Sequence, residues 1–186
     1  MQPNAEAQEA GVARVFFALW PDDMVRRALS GCGEALYRQV GGKPTRAESV
    51  HLTLLFLGDV PVARVQALQA VGAGAAFEPF TLRLNRVGCW KHNQIAWAAP
   101  SQVPPALARL VQALEAGADG EGFRFDRRPY AAHVTLVRKA RCVPLTRVDP
   151  VDWPVSQFVL VRSELHSEGS RYRTIGQWPA AGEAAA

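Results

Sequence analysis

One short phrase is written twice in this chain: His51-Leu52-Thr53-Leu54 and, 82 residues on, His133-Val134-Thr135-Leu136. Only four histidines occur in 186 residues, and two of them carry a threonine two places downstream. Chance yields that coincidence at roughly the 1% level. Each copy lies in an apolar run, Val50–Leu57 and Ala131–Val137. Gly58 closes the first run and Arg138-Lys139 the second. Such runs read as β-strands, in which residues i and i+2 share a face roughly 6.7 Å apart. Each copy therefore presents an imidazole and a hydroxyl side by side, and two copies can furnish one cleft.

The rest of the chain supplies strands and helices in an α+β order. Arg14–Trp20 is an apolar strand stopped by Pro21. Asp22 and Asp23 then start a helix along which Val25, Leu29, Cys32, Leu36 and Val40 recur at helical spacing, weakened by Gly31 and Gly33 and ended by Gly41-Gly42. The first motif strand follows and ends at Gly58-Asp59. Pro61 opens a second helix with Val62, Val65, Leu68 and Val71 on one stripe. Phe80, Leu82 and Leu84 alternate with polar residues as a strand, Trp90 to Gln94 turns, and Ile95–Ala98 returns as its partner. A third helix spans Pro104-Pro105 to Gly117. The second motif strand follows, then strands at Phe158–Leu165 and Tyr172–Trp178. The repeat suggests two related lobes within one domain, residues 12–180, flanked by flexible tails at 1–11 and 181–186.

Composition narrows the function. No apolar run approaches the ~20 residues of a membrane helix, and the polar, acidic start lacks the features of a signal peptide. Cys32, Cys89 and Cys142 are odd in number and far apart, as in a reducing cytoplasm rather than a disulfide framework. No Cys-x-x-Cys or His-x-x-x-His spacing suggests zinc. Gly-rich nucleotide loops and a Gly-x-Ser-x-Gly elbow are absent. The net charge is +4, carried mostly by arginine. Arginine's planar fork suits phosphate, although a solvated surface accounts equally well for most of these residues.

Two histidines across a cleft suit proton transfer at phosphorus. One neutral imidazole takes a proton from water, and the other, protonated, delivers one to the departing oxygen. The Thr53 and Thr135 hydroxyls would hold the non-bridging oxygens without adding a titrating group. No metal or cofactor is required for a strained cyclic phosphate.

The wording around the motifs resembles the two-histidine phosphoesterase superfamily, in its RNA 2′,3′-cyclic phosphodiesterase (2′-5′ RNA ligase-like, LigT-like) branch. The resemblance runs through Arg14-Val15-Phe16-Phe17-Ala18-Leu19, His51–Gly58, Arg128–Ala140 and the context of Tyr172 and Trp178. It implies two pseudo-symmetric lobes of antiparallel sheet flanked by helices, with a central cleft carrying both motifs. It implies metal-independent hydrolysis of a terminal 2′,3′-cyclic phosphate on RNA 3′ ends to a 2′-phosphate, with reversible 2′-5′ joining as a second activity. By that analogy His133 activates water and His51 protonates the leaving oxygen. The two motifs are nearly equivalent, so the residues alone leave these roles open. The expected protein is a cytoplasmic monomer that associates with no membrane.

Five places after each histidine the copies differ, Phe56 against Arg138. The resemblance sets Arg138 near the phosphate. Strict alternation points it away, so that role needs a bend, and a solvated arginine is the alternative. Phe56 is expected in the core rather than stacked on a base. His92 reads as an exposed turn residue, His166 as a surface contact, and Trp90 and Trp97 as a cross-strand packing pair. Arg124, Arg127 and Arg128 either track an RNA backbone or form a salt-bridged loop. Two further readings stay open: an RNA-end binder without turnover, and an enzyme acting on another cyclic phosphate or on a 2′-5′ oligonucleotide.

Overall fold

Ten strands, three α-helices and two short 3-10 turns are found in the computed structural model, which describes residues 11–166 and 169–182. Strand β1 (Val12–Leu19) leads into α1 (Asp23–Val40), capped by the Asp22 carboxylate, which accepts from the Val25 N–H at 2.8 Å. Gly41, at φ +63°, ends α1 by returning its N–H to the Tyr37 carbonyl. Then come β2 (Lys43–Pro44), β3 (Leu52–Pro61), α2 (Val65–Gly74), β4 (Phe80–Leu84), β5 (Arg86–Trp90) and β6 (Ile95–Ala99). The chain continues with α3 (Pro105–Gly120), β7 (Val134–Arg138), β8 (Val151–Val155), β9 (Gln157–His166) and β10 (Gly169–Pro179).

One eight-stranded antiparallel sheet is made of two lobes that meet edge to edge. The order is β10-β9-β1-β3-β7-β6-β5, with β10 to β3 in one lobe and β7 to β5 in the other, so the motif strands β3 and β7 adjoin at the seam. They share one backbone pair, Leu52 with Val134. Beyond that pair they part, and β2 takes the vacated edge of β7, setting Lys43 opposite Arg138 and Pro44 opposite Val137. Strand β2 is therefore a wedge that holds the cleft open. Helix α1 packs on β7, α2 lies against β9 and β10, and α3 covers α2 and β3. One continuous core runs beneath, containing Phe17, Leu29, Leu52, Leu110, Leu136 and Phe158.

Three boundaries, one pairing and one further strand differ from the sequence expectation. Phe80–Leu84 does not pair with Ile95–Ala99; β5 is that partner, and β4 joins β8 in a separate two-stranded sheet. The β8 segment hides in the sequence because Pro154 interrupts it, yet Val151, Trp153 and Val155 alternate inward. Strand β3 runs past Gly58 to Pro61, the α-helical part of the second helix begins at Val65, and α3 continues past Gly117 to Gly120. The expected tail at 1–11 lies outside the described residues except for Gly11, as do residues 183–186 of the other tail.

The reading of three unpaired cysteines is overturned. Cys89 and Cys142 are disulfide-bonded with Cα atoms 5.4 Å apart, and Cys32 alone is free and buried. After Arg138 the chain turns at Lys139 (φ +53°) and Ala140 donates to the Gln94 carbonyl. That turn carries Cys142 across β6 to the end of β5.

Candidate active site

The single rung between the motif strands builds the site. In an antiparallel ladder the sum of paired residue numbers is constant, so the Leu52–Val134 pair sets His51 across from Thr135 and Thr53 across from His133. Cross-strand neighbours share a face, with Cβ atoms ~5 Å apart. Both imidazoles and both hydroxyls thus come to one surface, and all four line one cleft of about 570 Å³. Tyr130 ties the lobes together here: its hydroxyl donates to the Thr53 carbonyl at 3.1 Å.

Matching β-bulges bring the next residue of each copy to the same surface. In β3 the register passes from Leu55–Phe17 to Thr53–Ala18, skipping Leu54. In β7 it passes from Val137–Ala96 to Thr135–Trp97, skipping Leu136. Each bulge inserts one residue and reverses the alternation beyond it. Leu54-Leu55 and Leu136-Val137 are consequently all buried, while Phe56 and Arg138 emerge on the cleft side. This supplies the bend that Arg138 required. It also corrects the reading of Phe56, which is 42% exposed and lines the cleft beneath the Arg14 guanidinium, 5.0 Å from its ring centroid.

Each imidazole is held in one tautomer. The His51 Nδ1–H donates to the Ser49 carbonyl and the His133 Nδ1–H to the Ala131 carbonyl, both at 2.7 Å. A carbonyl only accepts, so the free Nε2 of each neutral ring is the proton acceptor. The rings differ in their surroundings. His51 sits among Phe16, Trp20 and Tyr172, with Trp20 stacked at 5.2 Å and 4°. Among the described residues His133 has one ring neighbour, Trp90, at 4.5 Å and steeply inclined to it. Burial, with Arg138 and His133 adding repulsion, pushes His51 down to about 4 against the partial offset of its carbonyl bond. Burial and then Arg138 also lower His133, again against its carbonyl bond. No carboxylate pairs with Arg138 among the described residues, which leaves its guanidinium free for an anion.

Other candidates fall outside this group. Arg127 pairs with Asp119 and Arg128 with Asp126, forming the salt-bridged loop. His92 occupies the Lys91–Gln94 turn, exposed, and Trp90 packs on Trp97 across the hairpin at 5.5 Å. The side chain of His166 lies outside the described residues. Among the described residues no three His, Cys, Asp or Glu side chains gather as metal ligands, and no helix is long and apolar enough to cross a membrane. Trp20 was missed as a site residue, although Phe16, Ala18 and Trp20 sit at i, i+2 and i+4 on one face of β1.

Paired imidazole–hydroxyl motifs on adjoining strands of a two-lobed antiparallel fold define a two-histidine phosphoesterase. A model of the LigT-like phosphoesterases matches this chain twice, over residues 19–97 and 98–172, one motif in each. The chain belongs to that family. It is 34% identical to the RNA 2′,3′-cyclic phosphodiesterase of Thermus thermophilus, covering 91% of each chain. It is 30% identical to the Escherichia coli protein of the same name, over 89% of this chain and 95% of that one. The crystal structure of E. coli LigT complexed with 3′-AMP superposes with a TM-score of 0.81 at 27% identity, covering 91% of this chain and 99% of that one.

Proposed function

We propose that this chain hydrolyses 2′,3′-cyclic phosphates at RNA 3′ ends to 2′-phosphates, using His51 and His133 as acid and base. The observation that carries the reading is the quartet of His51, Thr53, His133 and Thr135 around one cleft, with each Nε2 free. The names of the two relatives give the substrate class.

His133, with one ring neighbour, is the more accessible to solvent, and its neutral Nε2 takes a proton from water. The water oxygen bonds to phosphorus as the P–O3′ bond breaks. His51, enclosed by three rings, is a strong acid once protonated, and its Nε2–H delivers the proton to O3′. The bound phosphate supports that protonation by offsetting the repulsion from Arg138. Thr53 and Thr135 donate to the non-bridging oxygens, and Arg138 neutralises the charge that builds there. With a 5′-hydroxyl in place of water, the same steps form a 2′-5′ linkage. Both motifs come from one chain, so a monomer suffices. An RNA substrate supports a cytoplasmic location, where the Cys89–Cys142 bond would answer to the redox poise.

The purified chain in EDTA is expected to convert an RNA with a 2′,3′-cyclic end to a product with one added water and a 2′-phosphate. His51→Ala and His133→Ala should each lower the rate by roughly 10²-fold or more. Absence of turnover, or full rates in both variants, would overturn the assignment.

A further inference from the structure

The cleft has two arms that share Thr53, Phe56, Ile95 and His133. One runs past Lys43, Thr45 and Arg46 towards Ser170, and among the described residues no acidic side chain lines it. The other passes Trp90, His92 and Tyr130 and ends at Glu115 and the Arg128–Asp126 ion pair. The first arm carries the cations Lys43 and Arg138, unpaired among the described residues, whereas the second offsets its arginine with Asp126 and adds Glu115, so a polyanion leaving the quartet is drawn along the first.

The first arm carries further signs of an anion. Lys43 stands directly across from Arg138 in the β2–β7 pair. Like charges opposite one another disfavour a sheet, and neither side chain has a carboxylate partner among the described residues. Two successive phosphates, one at Arg138 and the next at Lys43, resolve the repulsion. Two places along, the Thr45 backbone N–H is bonded to the Leu136 carbonyl at 2.8 Å, while its buried hydroxyl makes no hydrogen bond among the described residues. Arg46 is fixed at the rim by the Ser170 carbonyl at 3.0 Å and by Glu48 at 3.3 Å.

We propose that Lys43, Thr45 and Arg46 form a second phosphate subsite, which takes the phosphodiester on the 5′ side of the terminal nucleotide. The chain is then a polynucleotide enzyme that selects RNA oligomers over mononucleoside cyclic phosphates. This rests on the reading that the quartet acts on a terminal cyclic phosphate. A positively charged track beside a reactive end is how single strands are held without regard to sequence.

The test compares kcat/KM, in EDTA and at several salt concentrations, on cytidine 2′,3′-cyclic phosphate and on a short RNA with a 2′,3′-cyclic end. The wild-type chain should favour the oligomer by roughly 10-fold or more, the effect of about one charge-assisted contact, and the preference should shrink with salt. Lys43→Ala with Arg46→Ala should abolish the preference and leave mononucleotide turnover unchanged. Lys43→Glu should invert it, and Thr45→Val should weaken it. Equal losses on both substrates, or a preference that survives the double variant, overturn the subsite. Turnover of the mononucleotide with no oligomer preference in the wild type overturns the subsite alone. Failure on both substrates overturns the reading of the quartet and the subsite with it.

Discussion

Trp20 lies flat on His51, with ring centroids 5.2 Å apart and planes 4° from parallel, whereas Trp90 approaches His133 edge-on. The stacked indole fixes the plane of the imidazole and keeps water from its face. Trp20 is therefore a positioning residue. Trp20→Ala should move the His51 titration, followed by NMR, up from about 4 towards the ordinary histidine value. It should lower kcat more than it raises KM, and Trp20→Phe should restore most of both. An unchanged titration would show that the indole does not set the His51 environment.

Proton balance sets the pH dependence. Both imidazoles titrate below 6.5 in the free chain, His51 at about 4. The profile of kcat/KM reports free-enzyme groups, so its bell should peak below pH 6.5. The kcat profile should lie at higher pH, because bound phosphate favours the imidazolium. Stability takes the sign of a depressed pKa: between about 4 and 6.5 the unfolded chain binds the proton that folded His51 refuses. The contribution of His51 is complete above 6.5 and lost as pH falls to about 4, reaching ~3 kcal/mol at most. Urea unfolding at several pH values measures it, and a flat response across that window would contradict it.

Arg138 lowers both imidazoles and lines the cleft beside them. Arg138→Ala should reduce kcat/KM by roughly 10²-fold, the scale for losing one donor to developing charge. It should also move both limbs of the kcat/KM bell to higher pH, since the guanidinium lowers both histidines. Arg138→Lys should keep the pH profile and recover only part of the rate, because an ammonium cannot span two oxygens. A variant with wild-type rate and shifted limbs would assign Arg138 to electrostatics alone.

The Cys89–Cys142 bond closes a loop of 53 residues. Chain entropy over that span corresponds to about 4 kcal/mol of stability as an upper figure. Denaturant midpoints with and without reductant should differ accordingly, and Cys89→Ser with Cys142→Ser should match the reduced chain. Thiol titration of the unfolded, unreduced protein should find Cys32 alone. Three titrating thiols would exclude the bond.

Local chemistry made much of this molecule legible in the sequence. Asp22 and Gly41-Gly42 delimited α1, apolar runs marked β1, β3 and β7, alternation marked β4, and the paired motifs marked the imidazoles and hydroxyls that line the cleft. Pairing across distance was hidden: β4 finds β8 some 70 residues away, and Cys89 finds Cys142 only because the chain reverses at Lys139. The bulges did leave a trace. Leu54-Leu55 and Leu136-Val137 each break the apolar–polar alternation just before the divergent fifth position, and a register skip there explains why Phe56 and Arg138 face the cleft. Without that inference Phe56 reads as core. Trp20 escaped because a lone aromatic before a proline resembles the end of a strand and nothing more.

The lobes are interleaved rather than consecutive. Strand β2 and helix α1, from the first half of the chain, serve the second motif strand, while β9 and β10, from the far end, close the outer edge of β1. During synthesis both imidazoles leave the ribosome before β9 has emerged, with one flank of β1 still unpaired. The reaction centre therefore matures only after the last strand arrives, and neither half of the gene would encode a self-sufficient catalyst.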